Sequence, residues 1–300
     1  IVMCVANRGI GAPWTVWNDH QDSISQRDGG WIQMYANDHQ QIIDSVIKAF
    51  FLAETVSIPV MVCYDGYLLS HTYMPFDAPE QEKVDAFLPS FKAVNKLDPN
   101  NPSDFNTVTL PDVRPDIHGN MAPGYMEIRH ALHQDMRRAM PVLEDVDRRF
   151  METFGRGGTP FVEPYRCDDA DHVVVCMGSL SYHMRDVIDS LRKEGLAVGV
   201  MGVQLYRPFP DEAIVTALSG KRSVMVFEKA LSYGNQGALF ADIKSALYSS
   251  AQRPLVSNFI LGLGGREIKT VHLYDAVKQS CEHPEKTGDT PVWIGLKCQE

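Results

Sequence analysis

His172-Val173-Val174-Val175-Cys176-Met177, followed by Gly178-Ser179, is the stretch on which the fold turns. The apolar run is too short for a helix and has no polar alternation. It reads as a strand buried on both faces, the kind found in parallel sheets. Gly178-Ser179 makes a turn, and helical spacing over Tyr182–Glu194 predicts a helix stopped by Gly195. Ala197–Val203 reads as the next strand. The alternation continues with an Arg207-Pro208-Phe209-Pro210 loop, a helix at Asp211–Leu218 and a strand at Ser223–Phe227. A glycine-spaced loop at Gly234–Gly237 then leads into a helix over Ala238–Tyr248 and a strand over Pro254–Leu261. Three β-α units in sequence predict a doubly wound α/β domain over 169–300.

Upstream, Ile1–Ala6 and Pro59–Tyr64 read as buried strands, the second closed by the Asp65-Gly66 turn signal. Asp38 is placed to cap a helix running to about Glu54, with Ile42, Ile43, Val46, Ile47 and Phe50 on one face. From 77 to 123, prolines and asparagines are dense, which predicts an irregular surface excursion that serves a site or an interface. A long helix over Gly124–Phe154 ends at Gly155, and Gly157-Gly158 begin a linker. The first domain is thus expected over 1–157. The abrupt strand at Ile1, with no initiator Met and no signal-peptide features, predicts a fragment, a processed product or a chain lacking its beginning.

The 300 residues suit two domains with a sizeable core, at 44% hydrophobic and 22% charged. A net charge of -10 argues against a nucleic-acid partner. No apolar run is long enough for a membrane span. The cysteines at 4, 63, 167, 176, 281 and 298 form no C-x-x-C, so neither a disulfide framework nor an iron–sulfur cluster in this chain is expected. Reduced thiols point to the cytoplasm.

Several motifs have plain readings. Gly178-Ser179-Leu180-Ser181 stands where a dinucleotide fingerprint would, but G-x-G-x-x-G is absent, so a strand–helix turn is expected. Gly262, Gly264 and Gly265 are followed by no Lys-Ser/Thr and read as a tight turn near an interface. Asp19, His20 and Asp22 are spaced for a cation, yet no second ligand cluster accompanies them, so a hydrogen-bonded loop beside a site is expected and no metal. Arg27-Asp28 reads as a structural pair. Arg8 follows the first strand at what should be its carboxyl end, the edge where open α/β sheets bind ligands. It either grips a substrate carboxylate or pairs structurally with Asp19, Asp22 or Asp65.

Taken together, Val5-Ala6-Asn7-Arg8-Gly9-Ile10-Gly11-Ala12-Pro13, Trp17-Asn18-Asp19-His20-Gln21-Asp22-Ser23 and Gln26-Arg27-Asp28-Gly29-Gly30-Trp31-Ile32-Gln33 resemble the alpha subunit of pyruvate:ferredoxin oxidoreductases. Pro59–Gly66, Ser70-His71-Thr72, Leu97-Asp98-Pro99 and Phe154-Gly155-Arg156 continue the match in the family's order. Met177-Gly178-Ser179, Leu205–Pro210 and Gly262–Arg266 resemble the transketolase C-terminal domain of the same enzymes.

The resemblance implies an incomplete thiamine-diphosphate pyrimidine-type domain followed by a transketolase C-terminal-like domain. It implies an oxidoreductase subunit acting on pyruvate with ferredoxin and coenzyme A, or on 2-oxoisovalerate, 2-oxoglutarate or oxalate. A non-catalytic scaffold is the alternative. Thiamine diphosphate and Mg2+ would be held largely by partner chains, with [4Fe-4S] clusters and coenzyme A on partner subunits. Arg8 falls where the family presents an arginine to the substrate carboxylate, and Asn7, Asp19 and His20 would line that site. The family's catalytic glutamate and a substrate-side threonine fall upstream of Ile1, so the chain is expected to need partners for catalysis. The second domain is expected to supply interface, with Glu228 and the Gly234–Gly237 loop as candidates to face a partner's site.

Overall fold

The computed structural model describes residues 1–91, 111–115, 121–286 and 288–297. Leu97-Asp98-Pro99 and much of the 77–123 excursion lie outside the described residues.

The first sheet is laid down by β1 (Val2–Asn7), a single-turn α1 (Gln21–Ile24), β2 (Ile32–Tyr35), α2 (His39–Val56) and β3 (Val60–Asp65). The three strands run parallel in the order β1-β3-β2. Asp38 caps α2 by accepting the Gln41 N–H at 2.7 Å. Of the expected face, Ile47 is buried and Ile43 and Val46 pack against the core, but the buried face is wider and excludes Phe50. Phe50 is exposed, while Lys48, Ala49, Leu52, Ala53 and Val56 are buried. The buried face is wide because α2 packs on β3 and also on α4 (Tyr125–Phe154), where Lys48 Nζ meets Asp147 Oδ1 at 2.9 Å.

The excursion is not wholly irregular. It contains α3 (Gln81–Phe87) and the two-residue strands β4 (Arg114–Pro115) and β5 (Met121–Ala122), which pair as a hairpin. Phe87 anchors α3 among Phe51, Phe150 and Phe154, with ring centroids 5.2, 5.5 and 5.7 Å away. Burying that ring stabilises a turn of helix that local polarity hides. Gly155, at φ 72°, ends α4.

The second sheet contains β6 (Val162–Tyr165), β7 (His172–Cys176), β8 (Val198–Val203), β10 (Ser223–Glu228), β11 (Leu255–Ile260) and β12 (Val292–Trp293). Their order is β12-β11-β10-β7-β8-β6, with only β6 antiparallel. The helices are α5 (Leu180–Lys193), α6 (Asp211–Leu218), α7 (Ala238–Leu247) and α8 (Thr270–Glu282). Successive residues of β7 point to opposite faces. Val174 and Cys176 join the α5/α8 cluster, while Val173 and Val175 join residues of α6 and α7. This is the doubly wound arrangement that the 172–179 stretch predicts.

Two features depart from the expected plan. Between β8 and α6 the chain forms β9 (Leu205–Arg207), which leaves the second sheet and pairs antiparallel with β2 of the first. The expected loop therefore begins only after Arg207. The core is continuous across the junction, since Tyr35, Met61 and Cys63 cluster with Met201, Val203 and Tyr206. The second departure is β1, which is not buried. Among the described residues its one neighbour is β3, so it sits at the sheet edge with Met3 and Cys4 exposed.

Candidate active site

β1 and β3 are parallel and in register, so their carboxyl ends lie side by side and Asn7 is paired with Asp65. Both side chains are fully buried. Gly66 lets the chain turn there, because a Cβ at that position would stand 2.2 Å from the Asn7 carbonyl oxygen.

Beyond Asn7 the chain makes a loop and returns, with Arg8 and Asn18 forming an antiparallel bridge. The returning segment fastens the strand end. Asn7 Nδ2 donates to Asp22 Oδ1 at 2.6 Å and to Ser23 Oγ, and the Arg8 N–H donates to Asp22 Oδ2 at 2.9 Å. Asn7 Oδ1 has no hydrogen-bond partner among the described residues although it is buried. With its backbone held, Arg8 presents its side chain outward. The guanidinium lies over the Trp14 ring at 5.9 Å. It forms no ion pair with Asp19, Asp22 or Asp65, so the structural pairing is not realised. An exposed guanidinium with no ion pair among the described residues, on a fixed backbone, is suited to gripping a carboxylate.

Asp19 and His20 take other roles. Asp19 Oδ1 accepts from the Gln21 N–H at 2.7 Å, and its Oδ2 accepts from the Gly264 N–H at 3.0 Å. Burial raises its pKa against those two hydrogen bonds. The Gly262–Gly265 turn thus closes on the Asp19 loop, with the Gly265 N–H also donating to the Asn18 carbonyl at 2.7 Å. His20 Nε2 hydrogen-bonds Asp65 Oδ1 at 2.5 Å, while its Nδ1 is buried without a partner among the described residues. Asp19 and His20 therefore make their hydrogen bonds at the junction between the two sheets, and Asp19 also lies against Gly9, next to Arg8.

Asp65 is the centre of that junction. Its Oδ2 accepts from the Ser179 N–H at 2.8 Å, from Ser179 Oγ and from Lys229 Nζ at 3.1 Å. Burial alone would raise the Asp65 pKa. The Lys229 and His20 charges and the hydrogen bonds from His20 and Ser179 hold it well below the usual carboxylate range. Gly178, at φ 67°, has no room for a side chain, since a Cβ there would stand 2.9 Å from Asp65 Oδ1. Its turn does more than join strand to helix: it delivers the start of α5 to a carboxylate on the other sheet. Sequence reasoning overlooked Lys229. The available signal was a charged pair, Glu228-Lys229, at the carboxyl end of an apolar strand.

Glu228 is buried inside the second half of the molecule. Its carboxylate accepts from the Leu239 N–H at 2.9 Å, the Phe240 N–H at 3.2 Å and Asn258 Nδ2 at 3.0 Å, all inside the second half of the molecule. Arg27 and Asp28 approach at 3.8 Å. Among the described residues, no group of three or more His, Cys, Asp or Glu could hold a metal, and no helix is long and apolar enough to cross a membrane.

The family described as "Pyruvate flavodoxin/ferredoxin oxidoreductase, thiamine diP-bdg" matches residues 1–137, and "Pyruvate:ferredoxin oxidoreductase core domain II" matches 170–273. Pyruvate synthase subunit PorA of Methanothermobacter thermautotrophicus is 42% identical over 99% of the chain, which covers 73% of that relative. Ketoisovalerate oxidoreductase subunit VorA of Pyrococcus abyssi is 40% identical over the same shares. Among solved structures, 2-oxoglutarate:ferredoxin oxidoreductase from Magnetococcus marinus aligns with a TM-score of 0.55 at 18% identity. That alignment covers 93% of this chain and 48% of the neighbour, so it speaks to the fold.

Proposed function

Because the chain belongs to the pyruvate:ferredoxin oxidoreductase family, we propose that it is one subunit of a thiamine-diphosphate-dependent 2-oxoacid:ferredoxin oxidoreductase. The reaction is oxidative decarboxylation of pyruvate to acetyl-CoA and carbon dioxide with reduction of ferredoxin, or its reverse. The observation that carries this reading is Arg8, exposed and with no ion pair among the described residues, at the carboxyl end of β1 within the matched thiamine-diphosphate-binding region.

Thiamine diphosphate, when bound, supplies the carbanion chemistry by which a 2-oxoacid loses carbon dioxide. The residues present fit the substrate side of that group and not its diphosphate end. Arg8 offers two parallel N–H donors to the carboxylate, and Asn7 Oδ1 is a spare acceptor at the strand end. The Asn7–Asp22–Ser23 hydrogen bonds fix the Arg8 backbone, so little freedom is lost when substrate binds. Among the described residues no group of three or more His, Cys, Asp or Glu forms a metal site, and Mg2+ beside a diphosphate needs only one or two carboxylates, which this reading assigns to a partner. In this reading the diphosphate, its Mg2+, the iron–sulfur clusters and the coenzyme A site fall to partner chains, and the assembly is cytoplasmic. Asp19 and His20 support the loop carrying Arg8.

Arg8→Ala in the assembled complex should lower kcat/KM for pyruvate about 100-fold, as expected for removal of a charge-assisted contact of roughly 3 kcal/mol. Unchanged kinetics would remove Arg8 from the site. The VorA relative favours a second reading, a branched 2-oxoacid as substrate. Comparing kcat/KM for pyruvate, 2-oxoisovalerate, 2-oxoglutarate and oxalate decides between them, and a higher value for 2-oxoisovalerate would displace pyruvate.

A further inference from the structure

Between the two sheets, beside the Asp65 junction, lies a cavity of about 410 Å³ whose lining does not include Arg8. Trp17, Asn18, Tyr67 and Leu68 come from the first half, and Ser179, Leu180, His183, Lys229 and the Gly262–Ile268 turn come from the second. The volume suits a small organic molecule.

The polar lining is short of partners. Lys229 is 1% exposed and carries three N–H donors, of which one is taken by Asp65 and the rest by nothing among the described residues. Buried donors in native proteins are otherwise nearly all satisfied. Asn18, 4% exposed, has an Oδ1 without a hydrogen-bond partner among the described residues, and turned over its amide offers donors instead. Arg266 is exposed on this lining and forms no ion pair among the described residues, while the one lining acid, Glu267, stands 3.9 Å from Lys269. Asp65 balances the Lys229 charge, so Arg266 leaves the cavity with a positive excess. Burial lowers the His183 pKa, and this imidazole adds hydrogen-bonding capacity rather than charge at neutral pH. The opposite wall is apolar. Trp17 and Tyr67 meet edge to face at 4.5 Å, and each is nearly half exposed, at 47% and 46%. Leu68, Leu180 and Ile268 complete it.

We propose that this cavity binds a small organic carboxylate with an aromatic or branched body. The carboxylate is held by Lys229 and Arg266, and the body lies against Trp17, Tyr67 and Ile268. A neutral molecule of the same shape leaves the Arg266 charge unmatched, and inorganic phosphate leaves the aromatic wall bare.

Equilibrium dialysis of radiolabelled phenylacetate against the purified complex tests this, with benzyl alcohol and inorganic phosphate as competitors. Saturable retention is expected, displaced by neither competitor. Arg266→Gln should weaken it about tenfold. Leu68→Trp, which fills the cavity from its exposed side, should abolish it. The proposal does not rest on the reading of Arg8, so Arg8→Ala should leave phenylacetate retention intact while lowering turnover. No saturable retention overturns the proposal. So does equal competition by benzyl alcohol, or unaltered affinity in both variants. A partner chain's side chain seated in the cavity of the assembled complex would overturn it as well.

Discussion

Glu228 is a carboxyl group buried at the start of α7, satisfied by backbone and amide donors but by no cation. Burial pushes its pKa up to about 7 despite the hydrogen bonds from Leu239, Phe240 and Asn258. Its folded value lies above its unfolded one, so the folded chain holds a proton that the unfolded chain has released. Stability should therefore fall as pH rises from about 4.5 to about 7 and stay level above that. Urea unfolding at pH 5 and pH 8 should show wild type losing a few kcal/mol more over this window than Glu228→Gln. Parallel pH profiles for the two proteins would refute the assignment. At this scale Arg8 was legible, because a charged residue straight after an apolar run marks a strand's end. Asp65 was not, because Asp-Gly is indistinguishable from an ordinary turn. Its partners Ser179 and Lys229 lie 114 and 164 residues away, beyond any local pattern.

Most of the long elements could be read to within a residue or two, since buried strands and capped helices carry strong periodic signals, but α8 (Thr270–Glu282) was not expected. The short ones could not. β6, β9 and β2 have three or four residues each, and their pairing decides their state more than their composition does. α3 shows the same rule for a helix, because it exists through one ring. Phe87→Ala empties the space among Phe51, Phe150 and Phe154 and should cost about 3–4 kcal/mol. Urea unfolding measures this, and a loss under 1 kcal/mol would mean that α3 is held by something other than its anchor. The exposed apolar side of β1 was misread for a related reason. An edge strand and a central strand of a parallel sheet share the same composition, and only the presence of a second neighbour separates them.

Across the whole molecule, the two halves are joined by a buried carboxylate rather than by a surface seam. Asp65 of the first sheet gathers His20, Ser179 and Lys229, while Tyr35, Met61 and Cys63 continue the core of the second. Asp65→Asn leaves Lys229 as an unpaired buried charge and should cost about 3–5 kcal/mol. Because Asp65 has a lowered pKa in the folded state, its contribution is present above the unfolded carboxylate value and is lost only as pH falls below it. Differential scanning calorimetry should show one joint transition in wild type, moved down and broadened in the variant. Two separate transitions in wild type would contradict a shared core.

The strand exchange at β9 has a consequence for the order in which the protein can be completed. The chain leaves the ribosome amino end first, at about 5–20 residues per second. β2 is thus synthesised long before residues 205–207, which supply its antiparallel neighbour. For several seconds at least, the nascent first sheet waits with a bare flank on that side. It is finished only when the chain, having made β8, returns across the junction. Any split gene or truncated product that ends before residue 205 would leave the same flank open to another copy.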